Sequence, residues 1–215
     1  MNVRNLSPGS ASIVDAAEGV AADVVSEVAA ATTTVARGAA GLARVLGWDE
    51  LLLLGMQRFH APWRTRVART LTRAGDAASW TAYGITMLAA GAAARRGEVV
   101  HMGLRLGAGA ILATVMSQAL KRRLNRARPT SAIAGFEALS DNPDAFSFPS
   151  GHTSAAFAVA IAFQGEPACA GPLAMMLAVG IGLSRVYLGA HYPLDVIAGA
   201  LLGTVAGGVA RLVVP

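Results

Sequence analysis

The chain has 215 residues, of which 54% are hydrophobic and only 14% charged, with a formal net charge of +5 and a mean hydropathy of +0.50. Soluble domains carry about 25% charged residues, so the composition excludes an ordinary soluble globule and points to a membrane. The length allows one compact unit of roughly 100–200 residues and not two. The arginines flank long apolar runs, which makes anionic lipid headgroups their nearest counter-charge; nucleic acid is not an expected partner.

In chain order, the opening residues run into charged sequence and lack an apolar core ending in a small-residue cleavage site, so no secretory signal peptide is expected. From Ile13 to Leu46 apolar residues recur at three- and four-residue steps: Ile13, Ala17, Val20, Val24, Val28, Ala31, Val35, Leu42 and Leu46. This is one helical stripe. Asp15, Glu18, Asp23 and Glu27 lie at its front and Arg37 and Arg44 at its back, which suits the helix dipole. Each charge would cost about 2.5–3.5 kcal/mol at mid-bilayer. Residues 1–48 are therefore expected to form an amphipathic segment that lies along the interface or packs on a partner, a second copy of the chain included; the alternative is a degenerate first span. From Leu51 to Leu71 a leucine-rich stretch is interleaved with Arg58, Arg64, Arg66, Arg69 and Arg73, which reads equally as one or two interfacial helices holding lipid headgroups or as a solvated basic face.

Ala77 to Ala94 is an 18-residue run without charge, roughly 27 Å as a helix and enough to cross. Val99 to Leu120 gives a second span, ending at Lys121-Arg122-Arg123. Residues 125–149 read as a polar loop. Thr153–Phe163, Ala168–Leu183 and Leu194–Val214 give three more spans rich in glycine and alanine, which let membrane helices approach closely. The lone cysteine, Cys169, excludes an internal disulfide and a thiolate metal cluster and reads as packing. The expected fold is an all-α polytopic membrane bundle of about five transmembrane helices preceded by amphipathic or interfacial ones, with 49–215 as the membrane domain.

Counting crossings brings the unusual polar residues to one membrane face. The first group is Lys121 to Pro129, which taken alone is more often a headgroup anchor. The second is Pro149-Ser150-Gly151-His152. Ser150 suits a helix N-cap, and the free N–H groups of a helix start, with Gly151 allowing close approach, can cradle an anion. The third runs from Ser184-Arg185 through His191 to Asp195. Pro193 fits the first turn of the last helix, so Asp195 can reach back towards the His191 ring. A histidine, a carboxylate to orient it, a second histidine and fixed cations together satisfy what nucleophilic catalysis with a proton donor requires.

These three groups, read as K-x6-R-P, P-S-G-H and S-R-x5-H-x3-D, resemble the signature of the type 2 phosphatidic acid phosphatase superfamily. The resemblance covers roughly residues 49–214 and is specific in the joint occurrence of the motifs. Members often have six spans, and here the charged N-terminal stretch stands where the first would be. The resemblance implies a membrane lipid phosphatase in which His191 is the nucleophile, forming a phosphohistidine, and Asp195 holds its ring. His152 is then the general acid for the leaving group and the base for water. Lys121, Arg128 and Arg185 grip the phosphoryl oxygens with the Ser150 hydroxyl and the Gly151 amide. Phosphoryl transfer needs little beyond positioning and fixed positive charge. No metal or other cofactor is expected, since the remaining acids are scattered, and neither His60 nor His101 matches a motif. Two titrating histidines predict a bell-shaped pH dependence.

The expected partners are a lipid phosphate, polyprenyl or glycerolipid, and membrane lipids, in a multi-pass protein of the cell membrane. Positive charge puts the site on the cytoplasmic face and the resemblance on the outer one, so the side stays open. A phosphotransferase would use the same residues with an alcohol in place of water. Vanadium haloperoxidases share the pocket but are typically soluble, against the spans here. A non-catalytic scaffold would tolerate loss of His191.

Overall fold

The computed structural model describes residues 8–129, 133–140, 144–165 and 170–214. Cys169 and the turn at Glu166 lie outside them. Seven helices follow in order: α1 (Pro8–Gln57), α2 (Pro62–Ala74), α3 (Ala77–Ala93), α4 (Gly97–Leu124), α5 (Gly151–Ala162), α6 (Ala170–Tyr187) and α7 (Pro193–Val213). No strand occurs among the described residues; Ala127 and Phe146 form an isolated bridge in the loop between α4 and α5. The fold is all-α.

The chain divides into two compact units after Trp48. In the first, the described side chains from Ser26 to Trp48 are exposed; of the expected apolar stripe only Leu46 is among them. Helix α1 continues past the expected boundary and runs through Asp49 and the leucines to Gln57, because no proline follows Pro8 until Pro62. The stop comes at Pro62, which sets Ala61 in an extended conformation (φ −154°, ψ 147°) and opens α2.

In the second unit, α4, α6 and α7 are long and apolar enough to cross a bilayer. Helix α3 has 17 residues, roughly 26 Å at 1.5 Å per residue, against a hydrocarbon core of about 30 Å. Helix α5 has 12 residues, roughly 18 Å. It is an interior helix, with Ala155, Ala156, Ala158, Val159, Ala160 and Ala162 all buried among α4, α6 and α7. The five expected spans are thus three full-length helices, a nearly full-length α3 and a short buried α5.

Small residues set the closest packing. Along α7, a Cβ on Gly199, Gly203 or Gly207 would meet the carbonyl oxygens of Ser150, Ser154 and Ala158 at 2.6, 2.2 and 2.4 Å. The backbones of α5 and α7 therefore touch, as small residues at four-residue steps permit. This contact fixes the start of α5 against the start of α7, which is where the motif residues lie.

Candidate active site

His191 sits in the short connection from α6 to α7. Gly189 makes the turn with φ +71°, a conformation that favours glycine, and its close approach to the Phe136 ring leaves no room for a side chain. The N–H groups of Ala190 and His191 both donate to the Arg185 carbonyl, at 3.0 and 3.3 Å. Pro193 then opens α7. His191 is held at 1% exposure with only its outer edge on a cavity of about 700 Å³.

The ring's two nitrogens have different surroundings. Nε2 lies 3.3 Å from Arg128 Nη1. A guanidinium can only donate, so Nε2 presents its lone pair and the proton belongs on Nδ1. Nδ1 faces Asp195 Oδ2 at 3.6 Å, an ionic contact longer than a hydrogen bond. Burial, with Arg185 and Arg128 acting in the same direction against the Asp195 contact, lowers the His191 pKa to about 4. The ring is neutral at physiological pH.

The three motif cations converge on the same cavity. Lys121 and Arg185 are each 5% exposed, and Arg185 Nη1 donates to Thr72 Oγ1 on α2 at 2.6 Å. Arg128 is tied by its Nε to the Asp144 carbonyl and by Nη1 to the Ala190 carbonyl, both at 2.7 Å. Their counter-charge is Asp144, whose carboxylate contacts Lys121 Nζ and lies 3.3 Å from Arg128 Nη2. Burial alone would push the Asp144 carboxyl up, but the hydrogen bond and charge of Lys121 and the charge of Arg128 outweigh it and hold it below the usual range.

Gly151 and His152, at the N-terminus of α5, also line the cavity, and His152 Nε2 is bonded to Asp76 Oδ1 at 2.7 Å. Ser150 does not reach it. It occupies the N-cap position, but its side chain makes no capping bond; it is fully buried, and its hydroxyl accepts from Thr153 Oγ1 at 2.9 Å. Asp195 is likewise withdrawn behind His191. Its carboxylate accepts from the Tyr192 N–H at 2.9 Å and from Arg126 Nη1 at 2.7 Å. Of the other histidines, His60 Nε2 bonds the Tyr187 carbonyl at 3.0 Å, a structural role, and His101 is exposed.

Sequence reasoning missed Arg126, Asp49, Asp144 and Asp76. Arg126 Nη2 lies 2.5 Å from Asp49 Oδ2, and its guanidinium stacks 4.1 Å over the Tyr192 ring. Asp49 also accepts from the Leu194 N–H at 2.8 Å, so one acid from α1 closes the start of α7. Arg126 was visible as a third arginine inside the first motif; the acids carried no local signal. Among the described residues, no group of three or more His, Cys, Asp or Glu is placed to hold a metal ion.

Comparison with known proteins assigns the family. Residues 102–215 match the PAP2 superfamily, a stretch that contains all eight motif residues. The chain is 37% identical over 103 residues, 48% of its own length and 56% of the relative's, to decaprenylphosphoryl-5-phosphoribose phosphatase of Mycobacterium tuberculosis. It thus spans little more than half the length of that curated relative. Among solved structures, the PAP2-type phosphatidylglycerolphosphate phosphatase of Bacillus subtilis superposes with a TM-score of 0.66 at 25% identity, over 79% of this chain and 86% of that one. LpxE of Aquifex aeolicus superposes with a TM-score of 0.64 at 27% identity, over 74% of this chain and 92% of that one. Motif residues, fold and sequence matches agree: this chain belongs to the PAP2 superfamily.

Proposed function

We propose that this chain is a multi-pass membrane phosphatase that hydrolyses a lipid phosphate, polyprenyl or glycerolipid, through a phosphohistidine on His191 and without a metal. The observation that carries this reading is the His191 ring, 1% exposed, with Nε2 against Arg128 on a cavity that Lys121 and Arg185 also line. A neutral imidazole there attacks phosphorus through its Nε2 lone pair. The three cations neutralise the equatorial oxygens, the task to which phosphoryl transfer largely reduces. Helix α5 adds its positive end and the Gly151 amide. His152 protonates the departing oxygen and then takes a proton from the attacking water. Asp195, anchored by Arg126, faces Nδ1 and orients the ring. The names of the relatives, one acting on a prenyl-linked phosphoribose and another on phosphatidylglycerolphosphate, support a phosphate at the membrane surface with a long apolar tail.

The test is phosphate release from polyprenyl phosphate, polyprenyl diphosphate and phosphatidic acid in excess chelator, wild type beside His191→Ala. Wild-type turnover, its loss in the variant and acid-labile phosphate on residue 191 are expected. A dependence on added magnesium, or full activity in His191→Ala, refutes the mechanism. Adding an acceptor alcohol and finding its phosphate ester in place of inorganic phosphate would make the enzyme a transferase.

A further inference from the structure

We propose that Asp76 is the partner carboxylate of His152, a positioning residue that fixes which imidazole nitrogen holds its proton and thereby sets up protonation of the leaving group. The inference rests on the phosphatase reading above and adds to it a residue outside the three motifs.

The first observation is what Asp76 does not do. It stands at the N-cap of α3 with the extended backbone of that position (φ −68°, ψ 150°), yet its side chain makes no capping bond. An aspartate there ordinarily accepts from the N–H two or three residues on. Here the carboxylate turns away from its own helix and accepts from His152 Nε2 at 2.7 Å, across 76 positions of sequence. Both residues line the cavity that holds His191.

The second observation is that the carboxylate is held in place from behind. The Gly75 N–H is shared between the Leu71 and Thr72 carbonyls at 3.2 and 3.0 Å, and the Gly75 carbonyl accepts from Trp80 Nε1 at 3.0 Å. A Cβ on Gly75 would meet Ile181 at 2.8 Å. The turn between α2 and α3 is thus pinned on α6, and Asp76 is presented from it.

The third is charge. Arg69 and Arg73 from α2, Lys121 from α4, Arg128 from the loop and Arg185 from α6 line the same cavity as His152. A protonated imidazole among five cations needs an adjacent anion, and Asp144 is committed to Lys121 and Arg128. Asp76 is the carboxylate in contact with the His152 ring.

With Nε2–H donated to Asp76, Nδ1 is the nitrogen left for exchange. As His191 Nε2 bonds to phosphorus, the P–O bond to the alcohol breaks, the electron pair stays on the alcohol oxygen, and the Nδ1 proton moves to it. In the second half, water attacks phosphorus, its proton passes to Nδ1, and the P–N bond breaks with its pair returning to His191. The sum is one ester and one water in, one alcohol and one phosphate out. The Nε2 proton stays between His152 and Asp76 throughout, as in other carboxylate-oriented histidines.

The test exploits leaving groups. Asp76→Asn keeps the shape, and asparagine is as good an N-cap as aspartate. We expect kcat/KM for an alkyl phosphate, whose alcohol leaves only with a proton, to fall about 100-fold, within the usual range for general acids. For p-nitrophenyl phosphate, whose phenolate leaves unaided, the fall is expected to be under about 10-fold. In a His152→Ala background the substitution should have no further effect. Equal losses on both esters, or a loss that adds to that of His152→Ala, overturn the role of Asp76 while leaving the phosphatase reading intact. A wild-type chain inactive on both esters defeats that reading and this inference with it. An unchanged melting temperature in Asp76→Asn is expected alongside; a fall that tracks an equal loss on both esters assigns the residue to folding.

Discussion

Replacing Arg126 by methionine is expected to damage the fold and the site together. The side chains of Asp49 and Asp195 are 0% exposed, and Arg126 bridges them from a position only 21% exposed itself. Removing it leaves two buried carboxylates with no cation between them. The remaining donors, the Leu194 and Tyr192 N–H groups, are single backbone amides and cannot neutralise both. Breaking a buried pair from one side costs about 3–5 kcal/mol, and a unit of this size loses about 2–4 °C of melting temperature per kcal/mol. The expected fall is therefore roughly 6–20 °C, read by thermal unfolding in detergent. Adding Asp49→Asn should recover part of it, because one of the two stranded charges is then gone. Activity should fall further than folding does, since Asp195 is the group that faces His191 Nδ1. An Arg126→Met protein melting within a degree of wild type would falsify the claim that this arginine binds α1, α7 and the loop after α4 into one network.

Three other outcomes are expected. Gly203→Ala places a methyl group 2.2 Å from the Ser154 carbonyl, whereas Gly208→Ala faces open space; the first should lower the melting temperature by several degrees and reduce activity, and the second should do neither. Asp144→Asn removes the carboxylate that occupies Lys121 and Arg128, so inorganic phosphate should inhibit several-fold more strongly; unchanged or weaker inhibition would show that Asp144 does not compete with substrate oxygens. The His191 ring takes up its proton near 6.5 when unfolded and at about 4 when folded. The unfolded state therefore binds more protons between those values, and stability is full above about pH 6.5 and declines as pH falls towards 4, by about 3 kcal/mol. Melting curves across this range should show a decline that His191→Asn reduces. Under the proposed mechanism the same value puts the loss of the His191 lone pair near pH 4, so an activity limb between pH 5 and 7 belongs to another group.

How much of this was legible beforehand depended on whether a residue acts through its neighbours in sequence. The helices were readable because apolar runs and their charged borders are local. The motif residues were readable because a short motif fixes its own spacing: Pro193 opens α7, so Asp195 must lie in its first turn. Spacing did not report the other bonds these side chains make. The Ser150 hydroxyl accepts from Thr153 on the next turn. Asp195 faces the His191 ring and also accepts from Arg126 and the Tyr192 amide. The acids escaped for a further reason. Asp49, Asp76 and Asp144 lie far apart in the chain and look like ordinary polar punctuation between apolar segments. A site that binds phosphate must gather buried cations, and buried cations require carboxylates to hold them while the site is empty. Given Lys121, Arg126, Arg128 and Arg185 at one end of the bundle, the physics demanded several acids there. Which acids would arrive was decided by the packing of α1, of the turn between α2 and α3, and of the loop before α5, and only the fold could supply those.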